Sequence, residues 1–185
     1  YIQDIPNSRA EQFLQNNIPM LDCPDMQLEE TYYFRWWTFR KHVKQTPEGY
    51  VISEFLPDVS WAGKYNTISC AAGHHFYEGR WLHNQNILTN YAQFWFNGAG
   101  NPRLYSFWVA DAVYKFHLIH PNRELLFNLY PKWKDNFVQW EAEKRDSTEL
   151  FWQIDDRDGM ESSISGKLSP GGKGYRPTIN SYMYG

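Results

Sequence analysis

Excess charge, cysteine and long apolar runs are all scarce in this chain. Eighteen Lys and Arg stand against twenty-one Asp and Glu, a net charge of −3. The signs are well mixed, so no basic stripe awaits a phosphate backbone and nucleic acid is not an expected partner. The longest apolar stretches are short and broken by polar residues, which excludes a membrane-spanning helix; a soluble protein with no membrane partner is expected. Two cysteines, Cys23 and Cys70, are too few for a disulfide scaffold and lack metal-ligand spacing. They read as buried thiols, with a single bridge as the alternative. No cofactor is expected. Neither a start methionine nor a charged-then-apolar leader opens the chain at Tyr1, so it reads as a mature or truncated product. Its location is then legible only indirectly, with a secreted or periplasmic site placed ahead of a cytoplasmic one. At 185 residues it is one domain or part of a larger one.

Aromatic residues, by contrast, are abundant: nine Trp, thirteen Tyr and twelve Phe make up 18% of the chain, while mean hydropathy is −0.66. Much of the apolar surface therefore carries a hydroxyl or an indole N–H, which suits a core and also a wet cleft for an amphipathic ligand. The segment Phe151–Gly166, followed by Tyr175–Tyr184, concentrates this character. Asp155, Asp156, Asp158 and Glu161 lie there with Arg157, Arg176 and several aromatics. A surface loop needs charge but not tryptophan and tyrosine beside it. Sugars use both, polar groups for hydroxyls and flat rings for C–H faces, and one carboxyl group to protonate a glycosidic oxygen.

Periodicity predicts mainly helices. Ser8, with Glu11 three residues on, reads as the N-cap of a short helix to about Asn16. Asp25 caps a second, where Leu28, Tyr32, Trp36, Phe39 and Val43 recur at spacings of three and four up to about Lys44. Thr46–Gly49 stops it, and Tyr50–Phe55 reads as a short strand or an extended lead into a loop. Further helices are expected over about Thr67–Leu82, Gln85–Phe96, Arg103–His117 and Asn122–Lys144, the last kinked or broken at Pro131. With no strands long enough for a sheet, the fold class is all-α, an array of helical hairpins. Polar motifs fall in alternate long connections, 54–66, 98–106 and 151–180, which are expected to gather at one end. Only Gly166–Gly174 resembles a flexible linker.

Four of these segments carry a family resemblance. Gly100-Asn-Pro-Arg103-Leu-Tyr105 is similar to the Gly-x-Arg-Pro-x-x-Tyr segment of trehalases. Asp158-Gly-Met-Glu161-Ser-Ser163 resembles their Glu-Ser-Gly-Trp-Asp-x-Ser-Ser-Arg signature. Pro177-Thr-Ile-Asn180-Ser-Tyr-Met-Tyr184 resembles Pro-Val-Asp-Leu-Asn-x-x-Leu-Tyr, and Glu54-Phe-Leu-Pro-Asp58-Val-Ser-Trp61 is a looser match to Glu-x-Tyr-x-Trp-Asp. The order is the same, and Tyr32–Lys41 resembles the mannosylglycerate-hydrolase-like group. The chain thus resembles the six-hairpin glycosidase superfamily, near the trehalases and processing α-glucosidases. The resemblance implies an (α/α)6 barrel whose loops surround a sugar, and an inverting mechanism. It puts Glu161 in the place of the general acid, where trehalases have an aspartate one methylene shorter. Trp-Asp of the first loop becomes Trp61-Ala62, with Asp58 near enough in sequence to replace the lost carboxylate. The family's general base lies beyond Gly185, so residues 1–185 are expected to be part of a catalytic domain, inactive alone, accompanied by the rest of the polypeptide or self-associating.

Each candidate has a plainer reading. Glu161 is a solvated loop carboxylate or a general acid whose pKa is raised by Met160, Trp152 and Phe151 or by the carboxylates of Asp155, Asp156 and Asp158. Asp158 is the second choice for the acid. Arg103 pairs with a carboxylate or, as the resemblance implies, with sugar hydroxyls, beside Tyr105. Arg157 and Arg176 are expected to hold the acidic loop together as bidentate ion pairs. Asn180 binds adjacent hydroxyls or satisfies loop backbone. Trp61 and Trp108 are expected as sugar platforms, and Trp36-Trp37 as core. His74-His75 with Glu78 lacks the His-Glu-x-x-His pattern, so no metal is expected. The leading reading is an inverting glycoside hydrolase acting on an α-linked carbohydrate substrate. A non-catalytic carbohydrate-binding or scaffold protein is the alternative, and a helical interaction module whose aromatics are only core is a third.

Overall fold

A computed structural model describes residues 3–159 and 172–184. The chain is mostly helical: α1 Ala10–Asn17, α2 Met26–His42, α3 Ser69–Gly79, α4 Asn86–Phe96, α5 Val109–Ile119, α6 Arg123–Lys144, the single turn α7 Asp155–Asp158 and α8 Pro177–Tyr184. Two small antiparallel ribbons interrupt the pattern, β1 Val43–Thr46 with β2 Gly49–Ile52, and β3 Trp152–Ile154 with β4 Lys173–Tyr175. Among the described residues, no helix is long and apolar enough to cross a membrane.

Local chemistry explains most boundaries. Asp25 Oδ1 accepts from the Gln27 and Leu28 amides and starts α2 as expected. Asn122 does the same for α6 through the Leu125 amide at 2.9 Å. Ser8 caps nothing; it lies inside a short 3₁₀ turn, Asn7–Arg9, and α1 begins after it without a side-chain cap. Helix α2 stops at His42 rather than Lys44 because Val43, 1% exposed, pairs with Ile52 across the first ribbon. Gly49, with φ of +98°, closes that turn. Helix α5 starts six residues later than periodicity predicts. The Tyr105 amide donates to Ser69 Oγ and the Ser106 amide to the Arg157 carbonyl, so this backbone is bonded across the fold instead of along a helix. Pro131 neither breaks nor ends α6; it lies on the exposed face of the helix, which continues although proline donates no backbone bond.

The core runs through α2, the first ribbon, α3, α4 and α5, with Trp36, Phe76, Tyr91, Phe94, Trp95 and Phe116 at its centre. Trp36 is core as expected, while Trp37 is only partly buried and stacks on Phe34. A smaller cluster, Trp140, Phe151 and Ile179, fastens the last loop to α6 and α8. Hydrophobic side chains also remain outside: Phe127 is 76% exposed, Tyr130 63% and Phe34 62%.

Candidate active site

The three long connections precede α3, α5 and α8. The first is tied by Asn66, whose buried amide donates to the Phe55 and Pro57 carbonyls and to Asp58 Oδ1, while its Oδ1 accepts from the Val59 amide. Asn66 and Tyr65 both adopt left-handed backbone, φ 58° and 59°, which asparagine tolerates better than most residues. The second connection turns at Gly98–Gly100, and its end is held by the Tyr105 and Ser106 bonds already described.

The third connection is clamped most heavily. Asn180 accepts from the Phe151 amide at 2.9 Å and donates to the carbonyls of Phe151 and Arg176, each at 2.8 Å. Arg176, 2% exposed, pairs with Asp155 at 2.5 Å. Arg157 does not form the expected ion pair among the described residues; its guanidinium sits over the Tyr105 ring, 5.1 Å from the centroid. Asp158 is 5% exposed, and Ser106 Oγ donates to its Oδ1 at 2.5 Å. Its Oδ2 is buried without a hydrogen-bond partner among the described residues. Gly159 follows with φ of +73°.

Beside Asp158 opens a cleft of about 870 Å³ between α3, α5, α6 and α8. Trp108 lines it, edge-to-face with His74 at 4.6 Å and with Tyr182 at 4.8 Å. Tyr77 donates to Asp111 Oδ2 at 2.5 Å on its wall. Burial raises the Tyr182 phenol above its ordinary pKa, and the Asp158 charge adds to the rise. Tyr182 is thus kept as a neutral hydroxyl.

The sequence candidates divide accordingly. Trp108 lines the cleft and Asp158 approaches it behind Tyr182, while Tyr105 is buried at 7% exposure under Arg157. Arg103 instead pairs with Glu143 on α6 at 3.3 Å and lines a smaller pocket with Trp95 and Pro131. Asp58 is engaged by Asn66, Trp61 is 56% exposed against Phe55, and the Asn180 amide is taken up by backbone. Glu161, with Met160, Ser162 and Ser163, lies outside the described residues. His75 pairs with Glu54 at 3.3 Å and Glu78 with Arg35 at 2.9 Å. Among the described residues no three His, Cys, Asp or Glu side chains are placed to hold a metal ion. Cys23 and Cys70 are not bridged.

Sequence reasoning passed over two groups. Ser106, the partner of Asp158, has no motif to mark it. Glu54 stands in the sequence within a loose motif match, with no sign of its partner; His75, which also contacts the Tyr91 hydroxyl at 3.1 Å, holds its carboxylate below the usual range against the opposing effect of burial. Only the pairing of the first loop with α3 shows it.

The model of the mannosylglycerate hydrolase MGH1-like glycoside hydrolase domain matches residues 64–185, more than half of the chain and all of the Ser106, Trp108 and Asp158 region. The chain belongs to this family. The MGH1-like assignment has a close structural counterpart: a solved structure named a sialidase superimposes with a TM-score of 0.91 at 41% identity, over 99% of this chain. The chain spans 17% of that structure's length. Among curated proteins nothing matches.

Proposed function

We propose that this MGH1-like segment supplies the general-acid side of an inverting glycoside hydrolase acting on an α-linked oligosaccharide or glycoside. Glu161 protonates the leaving oxygen, and a base elsewhere in the polypeptide activates water on the opposite face of the ring. The observation that carries the reading is the clamped turn ending at Asp158 and Gly159. It leads directly into Met160-Glu161 and lies beside an aromatic cleft built on Trp108 and Tyr182. Two carboxyl groups about 6.5–9.5 Å apart would leave room for the water.

The segment forms part of an (α/α)6 barrel. Exposed Phe127 and Tyr130 on α6 and Phe34 on α2 are covered by the rest of the polypeptide or, in its absence, by a second copy, since apolar patches of this kind seek a partner.

The test is Glu161→Gln in the full-length protein. Cleavage of glycosides with poor leaving groups should fall by about 10²–10⁴-fold, the usual worth of general-acid assistance, while activated aryl glycosides suffer far less. Equal, near wild-type rates on both would remove Glu161 from the role, and Asp158→Asn would be next. A non-catalytic sugar-binding role is favoured by the Trp61-Ala62 pair and by Asp58 being engaged with Asn66. Binding of free sugars in saturation-transfer NMR with no cleavage of any aryl glycoside would decide for it.

A further inference from the structure

Gly73 lies buried in the middle of α3, after Ala71 and Ala72. Glycine weakens a helix interior relative to alanine, so its presence there calls for a packing reason. A Cβ at this position would fall 1.4 Å from Trp108 Nε1, 2.0 Å from Cε2 and 2.3 Å from Cδ1. The five-membered ring of the indole occupies the space of the missing methyl group. Trp108 Nε1 is itself buried and has no hydrogen-bond acceptor among the described residues. Among the described residues the ring is held by shape, through the glycine below it and the ring contacts of His74, Tyr77 and Tyr182.

We infer that Gly73 is a positioning residue for carbohydrate binding: it forms the seat that sets Trp108 in the cleft beside Asp158. The inference rests on the glycosidase reading above, in which Trp108 contacts sugar. Gly73 touches no substrate and acts only through the indole. Any side chain at position 73 must displace Trp108 by more than an ångström, because the clash is with ring atoms and not with the end of a flexible chain. The displacement disturbs His74, Tyr77 and Tyr182, the rings that lean on Trp108.

The test uses the full-length protein labelled with 5-fluorotryptophan. The ¹⁹F resonance lost in Trp108→Phe is that of Trp108, and in Gly73→Ala it should move. For a p-nitrophenyl α-glycoside, Gly73→Ala should raise KM about tenfold, the size of one lost aromatic contact, with kcat little changed. In a Trp108→Ala background Gly73→Ala should add no further loss, since the ring it displaces is absent. Should Gly73→Ala fail to fold, the double variant with Trp108→Ala should fold; a double variant that also fails overturns the seat. So does an unmoved Trp108 resonance, or a KM that rises in Trp108→Ala but not in Gly73→Ala. A moved resonance with KM unchanged in both variants overturns Trp108 as a sugar contact and leaves no binding role for Gly73.

Discussion

Ser106 Oγ donates to Asp158 Oδ1 at 2.5 Å, across 52 positions of sequence and within a buried environment. This bond, with the Ser106 amide on the Arg157 carbonyl, joins the start of α5 to the acidic turn. It fixes the turn that ends at Asp158 and Gly159.

Replacing Ser106 by alanine should therefore destabilise the protein. The Asp158 carboxylate would be left buried with neither oxygen bonded, a loss of about 1–3 kcal/mol. Urea unfolding of Ser106→Ala should show a lower midpoint at unchanged slope. Asp158→Asn, which keeps an oxygen acceptor for Ser106 and removes the buried charge, should lose less than Asp158→Ala.

Acid should weaken the fold in two windows. Burial lowers the His42 pKa, so as pH falls below the unfolded value of about 6.5 the unfolded chain takes up a proton that the folded chain does not. Stability present above that value is lost as pH drops through the folded pKa. Glu54, lowered by its His75 hydrogen bond, has the same sign in a lower window, beginning near the unfolded glutamate value of about 4.3. His42→Gln should flatten the upper part of a stability-versus-pH curve and Glu54→Gln the lower part. A Glu54→Gln curve that still steepens below pH 4.3 as much as wild type would contradict the assignment.

Asn180 should prove a strut. Its amide satisfies Phe151 on both backbone groups and adds a bond to the Arg176 carbonyl; leucine would orphan both Phe151 groups, while the Arg176 carbonyl keeps its bond from the Asn180 backbone amide. Asn180→Leu should cost several kcal/mol, about 1–3 for each buried group left unmade, and should free β3 and β4 from α8. Hydrogen exchange of the Phe151 amide measures this directly: protection should fall there before it falls in α3 or α4.

Charge on the outer face of α6 should change association. Phe127→Lys with Tyr130→Glu, at positions 76% and 63% exposed, should leave the fold of the 185-residue segment intact and lower its tendency to form dimers or larger species. Light scattering over a concentration series reads this. A wild-type segment that remains monomeric throughout would show that this face needs no cover.

The sequence by itself determined the helices whose signals are local. Asp25 and Asn122 mark helix starts because their side chains satisfy amides two or three residues away, and the recurrence of Leu28, Tyr32, Trp36 and Phe39 marks the α2 register because a helix turn is short. It also determined that polar motifs alternate with helices, and the family resemblance they carry. Tertiary structure alone decided what each motif residue touches. Arg103 and Asn180 carry the chemistry of sugar ligands, yet one meets Glu143 forty positions away and the other is consumed by Phe151 twenty-nine positions away. The delayed start of α5 has the same origin, since the amides of Tyr105 and Ser106 found partners on α3 and on the acidic turn. Gly73 shows the limit most clearly: in the sequence it is a glycine that weakens a helix, and only the packing of α5 against α3 reveals the indole that fills its place.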